Sequence, residues 1–147
     1  MRNIAIRIGL FALIGVGALI ARPFLTGGAG DLKLGECFDV PATGQTVEEV
    51  QHHPCTDAHS AEVIFVGKLT AAKDTPYPAL EALDEDVAQL CVPAFDTYTG
   101  LAFETDPDWT MGYFFPLSED WAKGDRDLVC YATRIDEAVT NTSIKQT

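Results

Sequence analysis

A chain of 147 residues, 47% of them hydrophobic, with a formal net charge of −12, has room for one modest domain. The charge sets nucleic acid aside as a partner, because an acidic surface repels a phosphate backbone. It is also unevenly placed. All 22 acidic residues lie beyond residue 30 with seven of the ten basic ones, so residues 31–147 carry about −15, while residues 1–30 hold only Arg2, Arg7 and Arg22.

The chain therefore reads as two physical objects. Ile4 to Ala21, IAIRIGLFALIGVGALIA, is an apolar leader. Its uninterrupted run from Ile8 is short for a membrane span. Arg7 can snorkel to the inner interface, and Pro23, Phe24 and Leu25 extend the apolar stretch outward. Neither Ala18-Leu19-Ile20 nor Ala21-Arg22-Pro23 makes a small-residue cleavage site, and no cysteine near the leader's end could carry a lipid. The expectation is an uncleaved signal anchor over residues 1–25, a single transmembrane helix. Arg2 and Arg7 hold the N-terminus in the cytoplasm, leaving the acidic domain outside. A cleaved signal peptide is the alternative. Residues 26–32, opening with Thr26-Gly27-Gly28-Ala29-Gly30, read as a flexible spacer.

From Leu32 to Val40 an imperfect alternation predicts a first strand, followed by turn chemistry at Pro41 to Gly44 and a second strand from Val47 that ends near Pro54-Cys55. Ala61 to Leu69 is the clearest strand. Its run Val63 to Val66 is apolar on both faces, which predicts a central position in a sheet. Thr70 to Pro78 is a loop. Leu80, Leu83, Val87, Leu90, Cys91, Ala94, Phe95 and Tyr98 recur at three- and four-residue steps and predict a helix over 79–98. Glu81, Asp84, Glu85 and Asp86 suit its N-terminal half, Pro93 predicts a kink or split, and Gly100 a stop.

Phe103 to Trp109 reads as a polar loop and Thr110 to Phe115 as a strand. Ser118 is expected to cap a short helical turn closed by Gly124, and Asp127 to Ile135 to be the last strand. Residues 137–147 look like a disordered tail. The fold class is α+β: a small antiparallel sheet packed against one main helix, occupying residues 33–136.

Cys37, Cys55, Cys91 and Cys130 are even in number and lie in the segment expected outside the membrane, which points to disulfides. Three pairings are open. Cys37–Cys55 and Cys91–Cys130 are favoured, the first closing the opening strands and the second tying the helix stripe to the last strand. Zinc competes at His52, His53, Cys55 and His59, but no CxxC pair occurs and using Cys55 would strand a thiol, so no metal and no cofactor is expected. His59 is expected to bond the turn before the central strand, with His52 and His53 exposed. No nucleophile elbow, triad framework or phosphate loop appears, so no catalytic residue is assigned. Gly124-Asp125-Arg126 reads as a turn whose side chains satisfy local backbone groups. Tyr77, Trp109 and Trp121 form the candidate contact rim for a partner.

The outer segment resembles the septum-formation domain family of actinobacterial envelope proteins. The likeness runs through Gly35-Glu36-Cys37-Phe38, Pro54-Cys55 with His59 and Ala61-Glu62-Val63, Tyr77-Pro78, the helix residues Cys91, Phe95, Tyr98 and Gly100, then Tyr113, Phe115-Pro116, Trp121, Gly124-Asp125-Arg126 and Cys130. It departs at Ala58, at Ala79 and at Pro93. The resemblance implies a membrane-anchored envelope protein linked to division septa, with envelope or divisome proteins as partners and no catalytic residue to carry over. A secreted ligand-binding domain and, more distantly, an enzyme acting on envelope polymers remain the alternatives. Oligomeric state is open.

Overall fold

The computed structural model of the chain describes residues 26–41 and 49–147. The expected anchor over residues 1–25 lies outside them, as does the start of the second expected strand. Among the described residues no helix is long and apolar enough to cross a membrane.

Six strands form one antiparallel sheet: β1 (Thr26–Gly28), β2 (Cys37–Asp39), β3 (Glu49–His53), β4 (Ala61–Lys68), β5 (Trp109–Phe114) and β6 (Asp127–Arg134). Their order across the sheet is β1-β3-β2-β4-β6-β5. The apolar run of β4 is interior, as its two-sided hydrophobicity predicts. An extra residue, Ile64, interrupts its register against β6 between Val63 and Phe65.

The main helix, α1, spans Leu80–Thr99 and buries Leu83, Val87, Cys91, Phe95 and Tyr98 along one stripe. Leu80, at its first position, stays exposed. Pro93 does not split it, and the helix runs on through the proline for six more residues. The proline lies on the exposed face, where the Gln89 carbonyl that loses its N–H partner can turn to water. Gly100 ends the helix in the left-handed conformation, φ 73°, and its N–H returns to the Asp96 carbonyl at 2.9 Å. The second helix, α2, spans Ser118–Lys123. Ser118 does not cap it. Leu117 is the N-cap, no side chain bonds the free N–H groups, and the local acids Glu119 and Asp120 offset the dipole instead.

Alternation along β4, β5 and β6 divides the core between the sheet's two faces. Ile64, Leu128, Cys130 and Ala132 meet α1 and Trp121 on one face. Phe38, Val50, Ala61, Val63 and Val129 build the other. There Phe38 is packed edge-on to Tyr131 at 5.2 Å and against Phe114 at 5.9 Å.

The second face overturns the expected spacer. Thr26–Gly28 pairs in register with Glu49–Gln51, and a 3-10 turn, Ala29–Asp31, follows. Ala29 and Leu32 are buried in the second core. Glycines here permit close backbone pairing rather than a loose linker. The first expected strand is shorter than its alternation suggested, because Leu32 to Glu36 is given over to a turn in which Gly35 takes φ 83°.

The disulfides join Cys37 to Cys55 and Cys91 to Cys130, with Cα separations of 5.2 and 6.1 Å. One staples β2 to the turn after β3. The other pins the centre of α1 to β6.

Candidate functional site

The segment from Tyr113 to Cys130 carries a polar network with Arg126 at its centre. Only 5% of Arg126 is exposed. Nη1 donates to the Trp121 carbonyl at 2.8 Å and to that of Asp125, and Nη2 donates to those of Ala72 and Lys73, both at 2.9 Å. The guanidinium lies 3.6 Å from the centre of the Trp121 ring. One planar fork thus joins the end of α2 to the loop before α1, a geometry available to arginine and not to lysine. Trp121 Nε1 adds a bond to the Thr75 carbonyl at 2.8 Å. Gly124 makes the turn possible with φ 101°. Asp125 Oδ1 accepts the Asp127 N–H at 2.9 Å, so both charged residues of the Gly-Asp-Arg turn bond local backbone.

This packing corrects the expected contact rim. Trp121 is 3% exposed, covered by Arg126 on its face and met edge-on by Tyr77 at 5.8 Å, so it cannot offer its ring to a partner. Tyr77 is 43% exposed, stacks with Phe115 at 6.1 Å, and donates to the Pro116 carbonyl at 3.3 Å. Leu80 and Leu117, its neighbours along the chain on either side of this stack, are exposed too. Trp109 is half-buried and starts β5, about 17 Å along the strand from Phe114 at the usual rise per residue. The three residues therefore do not form one rim.

Tyr113 sits between these ends. It donates to Asp84 Oδ1 on α1. Burial first, and then the bond to Asp84 and its charge, push the Tyr113 hydroxyl up to about 12. The folded protein holds this proton more tightly than an unfolded chain does. The stabilisation is full below pH 10 and is lost as pH rises through about 12. Phenolate absorbance should show this tyrosine titrating above an ordinary one. Asp84→Asn should bring the midpoint down, and an unmoved midpoint would show that Asp84 has no part in it.

A second polar cluster went unread in the sequence. Glu62 on β4 is 2% exposed. Its Oε1 accepts from the Tyr98 hydroxyl and from Ser143 Oγ, each at 2.6 Å, and its Oε2 accepts the Ile144 N–H at 2.8 Å. Burial, reinforced by Glu62, drives the Tyr98 hydroxyl far above its ordinary value. The expected disordered tail is thereby corrected. Thr140 exchanges both backbone bonds with His59 at 2.9 Å, Ile144 packs against the core, and the Gln146 N–H reaches the Tyr98 carbonyl at 2.8 Å. The local sequence Asn141-Thr142-Ser143 signals only polarity. Its anchor is a carboxylate 81 residues earlier in the chain.

Glu62→Gln tests the clasp. The amide keeps the size but removes the charge, so three bonds to a carboxylate become weaker neutral ones and the Tyr98 and Ser143 hydroxyls must turn to accept, at a cost of about 2 kcal/mol. The tail beyond residue 136 should become accessible to limited proteolysis under native conditions. A variant as protected as the parent would refute the clasp.

The histidines divide differently from expectation. His59 is buried, and its Nδ1–H donates to the Asp57 carbonyl at 2.8 Å, bonding the turn as read from the sequence. His52 and His53 are half-buried rather than exposed, with His53 Nε2 2.8 Å from Asp39 and His52 Nδ1 3.6 Å from Glu36. Donor atoms of Cys37, Cys55 and Glu62 lie within 4.8 Å of one another. The two sulfurs are bonded to each other, so neither is a thiolate ligand. Ser60 Oγ accepts the Val40 N–H at 2.8 Å. His59 and Ser60 are thus both engaged in holding backbone.

Comparison with known proteins adds one finding. No curated protein and no solved structure matches the chain. A family model described as septum formation matches residues 33–147, running through the docked tail.

Proposed function

The chain belongs to the septum formation family, and from that premise we propose that it is a membrane-anchored binding or scaffold module of an actinobacterial cell envelope, acting in septum formation. In this reading the apolar stretch within residues 1–25 is the single membrane anchor, and residues 33–147 face outward. The family match carries the septal part of the reading. The two disulfides support the outward orientation, since such bonds persist in oxidising compartments. The apolar leader with Arg2 and Arg7 ahead of its core supports the anchor. The module binds rather than catalyses: Glu62, Arg126 and His59, its buried polar side chains with the richest chemistry, are committed to backbone and tail. Its partners are envelope or divisome proteins.

The test is the position of the full-length protein in dividing cells. The tag is a fluorophore that matures outside the membrane, joined through a flexible linker so that Ile144 and Gln146 can still dock. A band at division sites is expected. An even peripheral signal would overturn the septal role, and protection of the domain from protease added to intact cells would overturn the orientation.

A further inference from the structure

β5 is the last strand of the sheet, and β6 is its only strand neighbour among the described residues. The Ile135 N–H donates to the Asp108 carbonyl at 2.9 Å and sets the phase of the β5–β6 ladder. Opposed residues of an antiparallel pair alternate between bonded and non-bonded. Thr110, Gly112 and Phe114 therefore turn their backbone groups to β6, and Trp109, Met111 and Tyr113 turn theirs outward. The Trp109 N–H agrees with this phase, donating to Asp106 Oδ1 at 3.2 Å. The Trp109 carbonyl and both backbone groups of Met111 and Tyr113 have no partner among the described residues.

Sheet edges are ordinarily blunted by a charge, a proline or a bulge. The edge strand WTMGYF contains no charged residue and no proline, and its register against β6 is continuous. It is a template for one more strand. Its surroundings state the chemistry of that strand. Asp106 caps one end of the open edge, and Asp84 holds the Tyr113 hydroxyl near the other. Glu104 and Asp108 are exposed beside the first end. Arg134 also reaches that end, 5.7 Å from the Trp109 ring, but both Asp136 oxygens engage its guanidinium at 2.8 and 2.9 Å.

We propose that the outer edge of β5 takes an added strand from a basic, extended segment of another protein. Main-chain bonds to Met111 and Tyr113 would supply affinity, and the flanking carboxylates would select for lysine or arginine. A second copy of this chain fits less well, because two molecules of net charge −12 repel. The inference rests on the reading of the domain as a binding module and is independent of where in the cell it sits.

The experiment uses the purified full-length chain in detergent and follows amide hydrogen exchange at Met111 and Tyr113. The probes are capped peptides of alternating lysine and valine, the same peptide N-methylated at alternate residues, and a glutamate–valine counterpart. The lysine peptide should slow both amides about tenfold or more at saturation. The N-methylated and glutamate peptides should leave them unchanged. Met111→Pro, whose lost N–H faces outward and whose side chain gives up some packing against the core, should abolish the slowing at Tyr113 while the fold is kept. If that variant fails to fold, the N-methylated peptide still separates strand addition from charge attraction. Equal protection by the glutamate or N-methylated peptide, or none by any peptide, would overturn the proposal. Protection that rises with protein concentration alone would overturn it in favour of self-association. A failed localisation experiment would leave each of these results unaffected.

Discussion

Arg126→Ala should cost the domain about 4 kcal/mol, read as a fall in the urea midpoint at unchanged slope. The guanidinium serves four carbonyls from three places in the chain: the loop at Ala72 and Lys73, the end of α2 at Trp121, and Asp125. Removing it leaves the Lys73 and Asp125 carbonyls without a donor, takes one of two donors from Ala72 and Trp121, which keep the N–H groups of Thr75 and Gly124, and uncovers the face of a tryptophan that is otherwise buried. Bonds from a charged donor contribute more than neutral ones, yet losses within one network are not additive, so the total stays well below the sum of the parts. Arg126→Lys separates charge from shape. An ammonium keeps the charge but cannot span both segments in one plane or lie flat on Trp121, and about half the loss should remain. If both variants unfold with the parent, the fork is ornamental and the loop before α1 is held by something else.

Replacing Cys91 and Cys130 together by alanine should cost a similar amount, about 4 kcal/mol from loop closure alone. The bridge spans 39 residues and lies wholly inside the core, where it fastens α1 to β6. The void left by two sulfurs adds to the loss. The corresponding change at Cys37 and Cys55, whose bridge spans 18 residues, should cost about 0.7 kcal/mol less by the same entropy argument. Calorimetry of the two double variants gives the order directly. A reversed order would mean that the region around β2 depends on its staple more than loop length implies, which the short pairing of β2 with β4 would then explain.

Much of the frame was legible because its signals are local. The three- and four-residue spacing from Leu83 to Tyr98 is itself the face that packs on the sheet, and the two-sided run of β4 is itself the reason for its interior place. Cysteine pairing followed from which elements carry each residue. Other features went unread where the deciding partner lies far along the chain. Thr26–Gly28 has no side-chain pattern, and its strand exists because Glu49–Gln51 offers a ladder. Ser143 and Ile144 look like a solvated tail until Glu62 is placed beneath them. Trp121 looks like a free aromatic until Arg126 is folded over it. Ile144, an isolated apolar residue in a polar stretch, was the one local hint of a docked tail. For the site, the turn chemistry of Gly124-Asp125-Arg126 was readable, whereas the division of Tyr77 from Trp109 depended on the length of β5.

The clasp on Glu62 imposes an order on biogenesis. A chain made from its N-terminus can form β2, β3 and β4 and close the Cys37–Cys55 bridge long before residue 144 exists. Throughout that interval the Glu62 carboxylate has no tail donor, and it must stay hydrated or meet Tyr98 alone. The domain can therefore be stapled early but not sealed until synthesis has passed Ile144. An intermediate stalled after β6 would carry both disulfides over a wet, open seam between β4 and α1.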